Sequence, residues 1–177
     1  MATTNTATFN TSESLNPDLA GALLQFGRSL AETKYALGSR LSEWVTGAPA
    51  MEAAVAAAAI TQDELGHARS LFAMLREFPG APDEVKTDTY MQTGPLPYSP
   101  GILAHPFASW LDLIAALYLL DQAVTTVIRS ARESAYLPLR QRVAKILQEE
   151  HFHAIYSKGW VAHIAGQGRA ARERMQK

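Results

Sequence analysis

Two short stretches of this chain carry side chains able to do chemistry together, Gln62-Asp63-Glu64-Leu65-Gly66-His67 and Gln148-Glu149-Glu150-His151-Phe152-His153. Each contains Glu-x-x-His with a second acid directly before the Glu. Residues three apart on a helix share a face, so Glu64 pairs with His67 and Glu150 with His153. Two such pairs facing one another form a dinuclear metal site in a helix bundle. Glu149 and His153 are also i,i+4 neighbours, which makes Glu149 an alternative to Glu150. The likeness to Glu64/His67 favours Glu150.

These pairs need long helices to carry them. Asn16-Pro17 supplies an N-cap followed by proline at the first helical position, and the apolar positions Leu23, Leu30, Leu37 and Leu41 carry a helix over 16–46. The short Gly47-Ala48-Pro49 break folds the next helix, 49–78, back antiparallel. Residues 79–105 hold five prolines, Pro79, Pro82, Pro95, Pro97 and Pro100, a composition that is not regular helix. A helix of about thirty residues spans roughly 45 Å, and about 25 extended residues cover that distance. The stretch therefore serves as a crossover returning the chain to the starting end of the bundle. Helices over 106–135 and 138–166 follow, with Pro138 in the first turn of the last. Nothing alternates with period two over a useful length. The expected architecture is all-α: a ferritin-like four-helix bundle of two antiparallel hairpins joined by a long crossover. Residues 1–15 are expected as a disordered lead-in and 167–177 as a charged tail.

The hairpins allow a further step. Reflection about residue 48 brings Glu64 level with about residue 32, which is Glu32; reflection about residue 136 brings Glu150 level with Asp121. The predicted metal ligands are Glu32, Glu64, His67, Asp121, Glu150 and His153. Four carboxylates buried among Leu and Ala are costly unless paired or neutralised. Two divalent cations balance them and leave the histidines as neutral ligands. Oxygen-rich ligation with one imidazole per metal suits iron or manganese better than zinc, and two Fe ions are expected, with Mn possible. Asp63 and Glu149 are placed to hydrogen-bond the distal nitrogen of a histidine ligand and fix its tautomer. Glu43 lies too near the end of the bundle to reach metals level with Glu64, and His151 points away from the Glu150/His153 face. Tyr35 and Tyr118 are more often core than site at such positions, and His105 and His163 have no evident partner.

Composition narrows the partners. The chain has 177 residues, enough for one stable core, and no cysteine, which excludes disulfides and thiolate clusters. With 16 basic against 17 acidic residues it has no polycationic surface for nucleic acid. Met1 to Glu13 lacks the pattern of a secretory signal. The apolar window around 50–60 is interrupted by Glu52 and then by Gln62-Asp63-Glu64, short of a membrane span. A cytoplasmic protein is expected.

The motifs resemble the ferritin-like di-iron proteins of bacterial phenylacetate degradation. Gln62 to His67, Ser109-Trp110-Leu111-Asp112, Leu120-Asp121 and Glu149 to His153 are similar to the catalytic subunit of phenylacetyl-CoA epoxidase. Leu37-Gly38-Ser39-Arg40-Leu41-Ser42-Glu43-Trp44 and Ser157-Lys158-Gly159-Trp160 resemble its companion structural subunit. The resemblance covers about residues 20–177. It implies a multicomponent oxygenase that uses O₂ and electrons from a separate reductase to epoxidise the aromatic ring of a CoA thioester such as phenylacetyl-CoA. The six predicted ligands match the catalytic subunit's by position, and Glu32, Glu64 and Glu150 are the carboxylates expected to shift coordination during the reaction. The chain ends soon after the fourth helix, so a homodimer or a related subunit is expected to complete the cover. The alternatives are a ferritin-like iron oxidase or peroxidase without organic substrate and a non-catalytic scaffold subunit of an oxygenase.

Overall fold

Asn16 accepts the Leu19 N–H on its side-chain oxygen at 2.8 Å, and Pro17 follows in the first turn of α1, Pro17–Ser42. The chain turns over residues 43–47, where the Gly47 N–H donates to the Trp44 carbonyl at 3.1 Å, and returns as α2, Met51–Leu75. This computed structural model describes residues 8–87, 89, 96–169 and 173. The crossover contains a single helical turn, α3, Asp83–Lys86, and a 3₁₀ turn over Gly101–Ala104. Part of its span lies outside the described residues.

Ser109 sets the start of the third long helix by accepting the Asp112 N–H at 3.2 Å, so it opens at Trp110 rather than at Pro106. This helix runs as α4, Trp110–Ala115, a π-helical turn, Ala116–Asp121, and α5, Gln122–Ser130. The last, α6, spans Leu137–Gly166 with Pro138 in its first turn, where proline removes no needed N–H. The molecule is an all-α ferritin-like bundle in which α1 packs on α2, and α6 packs on α2, α4 and α5. Trp110–Ser130 is long and apolar enough to cross a membrane, with mean hydropathy 1.6. Its Asp121 is fully buried in the bundle, and its Leu113, Ile114 and Leu117 are core.

Residues 8–15 of the expected lead-in are packed. Phe9 donates its N–H to the Ala135 carbonyl and accepts from the Leu137 N–H, both at 2.9 Å, and the Ser12 hydroxyl donates to the Glu77 carbonyl. Residues 1–7 lie outside the described residues.

The core has two apolar clusters. One gathers Leu30, Leu71, Phe72, Leu75, Ile128 and Val143; the other gathers Leu37, Leu41, Ile60, Leu113 and Leu117. Each helix passes from one cluster to the other through a buried polar residue: Lys34 on α1, Glu64 and His67 on α2, Asp121 at the end of the π turn, Glu150 and His153 on α6. A polar layer therefore crosses the middle of the bundle.

Candidate functional site

The centre of the polar layer is Lys34. Its Nζ donates to Asp121 Oδ1 at 2.6 Å, Glu150 Oε1 at 2.6 Å and Glu64 Oε1 at 3.1 Å, with all four side chains at most 1% exposed. An ammonium has three N–H groups, and each is matched to a carboxylate from a different helix segment. Thr125 donates to the other oxygen of Glu150 at 2.7 Å. Gly38 makes the approach of α1 to α2 possible, because a Cβ there would lie 2.9 Å from Leu65 Cδ2 and 3.1 Å from Glu64 Cβ.

The two imidazoles flank this core with centroids 6.2 Å apart. Each is held from outside by the acid preceding the other motif's Glu. His67 Nε2 donates to Glu149 at 2.6 Å, and His153 Nε2 donates to Asp63 at 3.2 Å. Their Nδ1 atoms face inward: that of His67 is 3.4 Å from Glu150 Oε1, and that of His153 is 3.2 Å from Glu64 Oε1. Neither contact has hydrogen-bonding alignment, and Glu64 Oε2 and Asp121 Oδ2 are also buried without a hydrogen bond.

The electrostatics follow from this packing. Burial alone would lower the Lys34 pKa, but the charges of Glu64, Asp121 and Glu150 outweigh it and hold the ammonium well above its ordinary value. Burial likewise opposes a charged His153, and the closeness of the Asp121, Glu150 and Glu64 carboxylates pushes it up to about 12. Glu150 overcomes burial through Lys34 and the histidines and is held below the usual carboxylate range. Glu64 is pushed up, by burial first and with Asp121 and Glu150 adding to it against the opposing pull of Lys34. Two cationic groups thus face three acids, one of them biased toward its neutral form. The cluster comes close to neutrality by itself.

Of the predicted ligands, the structure brings together Glu64, His67, Asp121, Glu150 and His153. Glu64, Asp121, Glu150 and His153 offer donor atoms within 4.8 Å of one another, a buried grouping that could hold a metal ion. Glu150 takes the inner position, while Glu149 reaches His67 from outside. Glu32 does not join them. It accepts from Arg28 Nε at 2.6 Å and from the Tyr98 N–H at 2.8 Å, which ties α1 to the crossover. Residues 32 and 34 differ by about 200° around a helix, so reflection across the turn found the right height and the wrong face. The charge balance expected from two divalent cations and four carboxylates also changes: three carboxylates surround an ammonium. With Lys34 at the point the acids enclose and Glu32 engaged elsewhere, the residues as arranged do not fit a di-iron centre.

The sequence did contain a signal for Lys34. It falls at the inward step between Leu30 and Leu37, in line with Leu41, and a lysine there is buried unless the stripe is broken. Elsewhere, Glu43 pairs with Arg40 at 2.9 Å near the bundle end, His151 is exposed, and Tyr118 faces solvent.

The sequence model of the family described as "Phenylacetic acid catabolic protein" matches residues 5–177. The chain belongs to this family. It is 29% identical over 149 residues to one of the subunits of the 1,2-phenylacetyl-CoA epoxidase of Escherichia coli (strain K12). That similarity covers 83% of this chain and 59% of the relative, so the chain spans about three-fifths of the length of this curated relative.

Proposed function

We propose that this chain is a non-catalytic companion subunit of a cytoplasmic multicomponent oxygenase that epoxidises an aryl-CoA thioester of the phenylacetyl-CoA type. The observation that carries this reading is the Lys34 ammonium bonded to Glu64, Asp121 and Glu150, where the predicted chemistry needs a metal. The family match and the likeness to an epoxidase subunit support the complex and its substrate class. In such an assembly a related catalytic subunit carries the oxygen chemistry and a reductase supplies electrons. This chain contributes a rigid helical body, whose shape the internal ion cluster holds without a metal.

A second reading, a di-iron monooxygenase subunit in its own right, is favoured by one feature. Both imidazoles are oriented from outside by carboxylates, as metal-ligating histidines commonly are. Glu64, His67, Asp121, Glu150 and His153 would then hold the metals, after Lys34 had left its partners.

Reconstitution separates the two. The chain is mixed with a catalytic epoxidase subunit and its reductase, and phenylacetyl-CoA plus O₂ is followed by mass spectrometry for a product gaining one oxygen. The companion reading expects turnover only when both subunits are present, unchanged when this chain carries His67→Gln. Turnover by this chain and the reductase alone, lost in His67→Gln, would replace it with the second reading.

A further inference from the structure

Lys34 is the side chain that α1 sends into the centre. Its Nζ is within 3.1 Å of one oxygen each of Glu64, Asp121 and Glu150. Around it lie four buried polar atoms with no hydrogen bond, Glu64 Oε2, Asp121 Oδ2, and the Nδ1 atoms of His67 and His153. Buried polar atoms are nearly always satisfied, and Glu64, Asp121, Glu150 and His153 offer donor atoms within 4.8 Å of one another, with His67 Nδ1 3.4 Å from Glu150 Oε1, a geometry shaped for a ligand. Both histidines keep the outer hydrogen bond that orients Nδ1 inward. The donor chemistry, carboxylate oxygen with imidazole nitrogen, is that of a divalent first-row metal.

We propose that Lys34 is a built-in cation closing a latent divalent-metal site, and that removing its ammonium opens that site to metal on Glu64, His67, Asp121, Glu150 and His153. The ammonium and a divalent ion compete for the same carboxylate oxygens, and the tethered one is always present. A glutamate at position 34 would end about one bond short of Nζ. It would replace the ammonium with a carboxylate, the oxygen donor that hard divalent cations take. The proposal rests on the metal-free companion reading and adds that the surrounding ligands remain competent.

The test uses the full chain as wild type, Lys34→Glu and Lys34→Met, each exposed to Co(II) as a spectroscopic probe and dialysed. Bound cobalt, its visible absorption and the melting temperature are read. Wild type is expected to retain less than about a tenth of an equivalent and to melt at the same temperature with or without metal. Lys34→Glu is expected to retain at least one equivalent, and to melt about 5–10 °C higher at a hundredfold excess over Kd. The bound cobalt and the shift should vanish in Lys34→Glu/His153→Gln. Lys34→Met guards against misfolding: a variant destabilised without metal and rescued by Co(II) supports the proposal. If neither variant binds cobalt, or neither folds with cobalt present, the latent site is wrong while a metal-free wild type leaves the companion reading standing. Stoichiometric cobalt in wild type overturns both.

Discussion

Three helical segments each send one carboxylate to Lys34, so the cost of burying its charge is met only while all three acceptors stay in place. Removing one partner of a buried ion pair typically costs about 3–5 kcal/mol. Lys34→Met, similar in length but uncharged, is therefore expected to lose about that much at neutral pH in urea unfolding. A loss below about 1 kcal/mol, the value of an exposed pair, would show that the ammonium is not holding the acids together. Glu64, His67, Glu150 and His153 were legible in the sequence because Glu-x-x-His spacing fixes a shared helix face, and Asp121 because reflection about residue 136 sets its height. Lys34 lies in the apolar stripe of Leu30, Leu37 and Leu41, but that signal is weak alone because lysine is almost never fully buried unless paired. Charge balance calls for a cation among the acids without saying whether it is a bound ion or a side chain. Glu32 shows the complementary error: height along the bundle was readable from the turn, but the direction around α1 was not.

At the level of elements, Glu32 and Arg28 act as a latch between α1 and the crossover. Arg28 bonds Glu32 and, at 2.9 Å, Glu84 of α3, and its guanidinium lies 4.6 Å from the centroid of the Tyr98 ring. Glu32→Gln should loosen this attachment by about 0.5–2 kcal/mol, since one charge-assisted bond is lost. Faster hydrogen exchange at Tyr98 with unchanged exchange at Glu64 would register it. Equal effects at both positions would instead make Glu32 part of the centre. The α1–α2 hairpin makes a second, paired prediction. Gly38→Ala crowds Leu65 and Glu64, and overpacking of about 1–3 kcal/mol outweighs the gain of about 1 kcal/mol in helix propensity. A Cβ at Gly66 meets nothing within 4 Å, so Gly66→Ala should stabilise by about 0.5–1 kcal/mol. Chemical denaturation that ranks the two variants the other way would contradict the close approach of the helices beside Glu64. Asn16-Pro17 and Pro138 mark helix starts in the sequence, whereas Ser109 rather than Pro106 opens the third long helix. The π turn before Asp121 has no such mark, since no sequence period distinguishes it from the α-helix on either side.

Over the whole molecule, a polar layer separates two apolar clusters and links all four long helices. Buried polar networks of this kind fix register when every helix must deliver its group to one point. The bundle and its crossover could be read from helix caps, proline positions and loop length. The packing of residues 8–15 could not, because Thr/Ser/Asn-rich composition conceals the few anchors, Phe9, Ser12 and Leu15, that attach it. A companion role and a catalytic role use the same bundle and differ in what occupies its centre. Crystals grown with Mn(II) or Fe(II), measured with anomalous scattering at the metal edge, decide this most directly. Lys34 Nζ is expected within hydrogen-bonding distance of Glu64, Asp121 and Glu150, with no anomalous peak among them. Two strong peaks a few ångströms apart, as in dinuclear carboxylate sites, with Lys34 displaced from the three acids, would contradict a metal-free companion role.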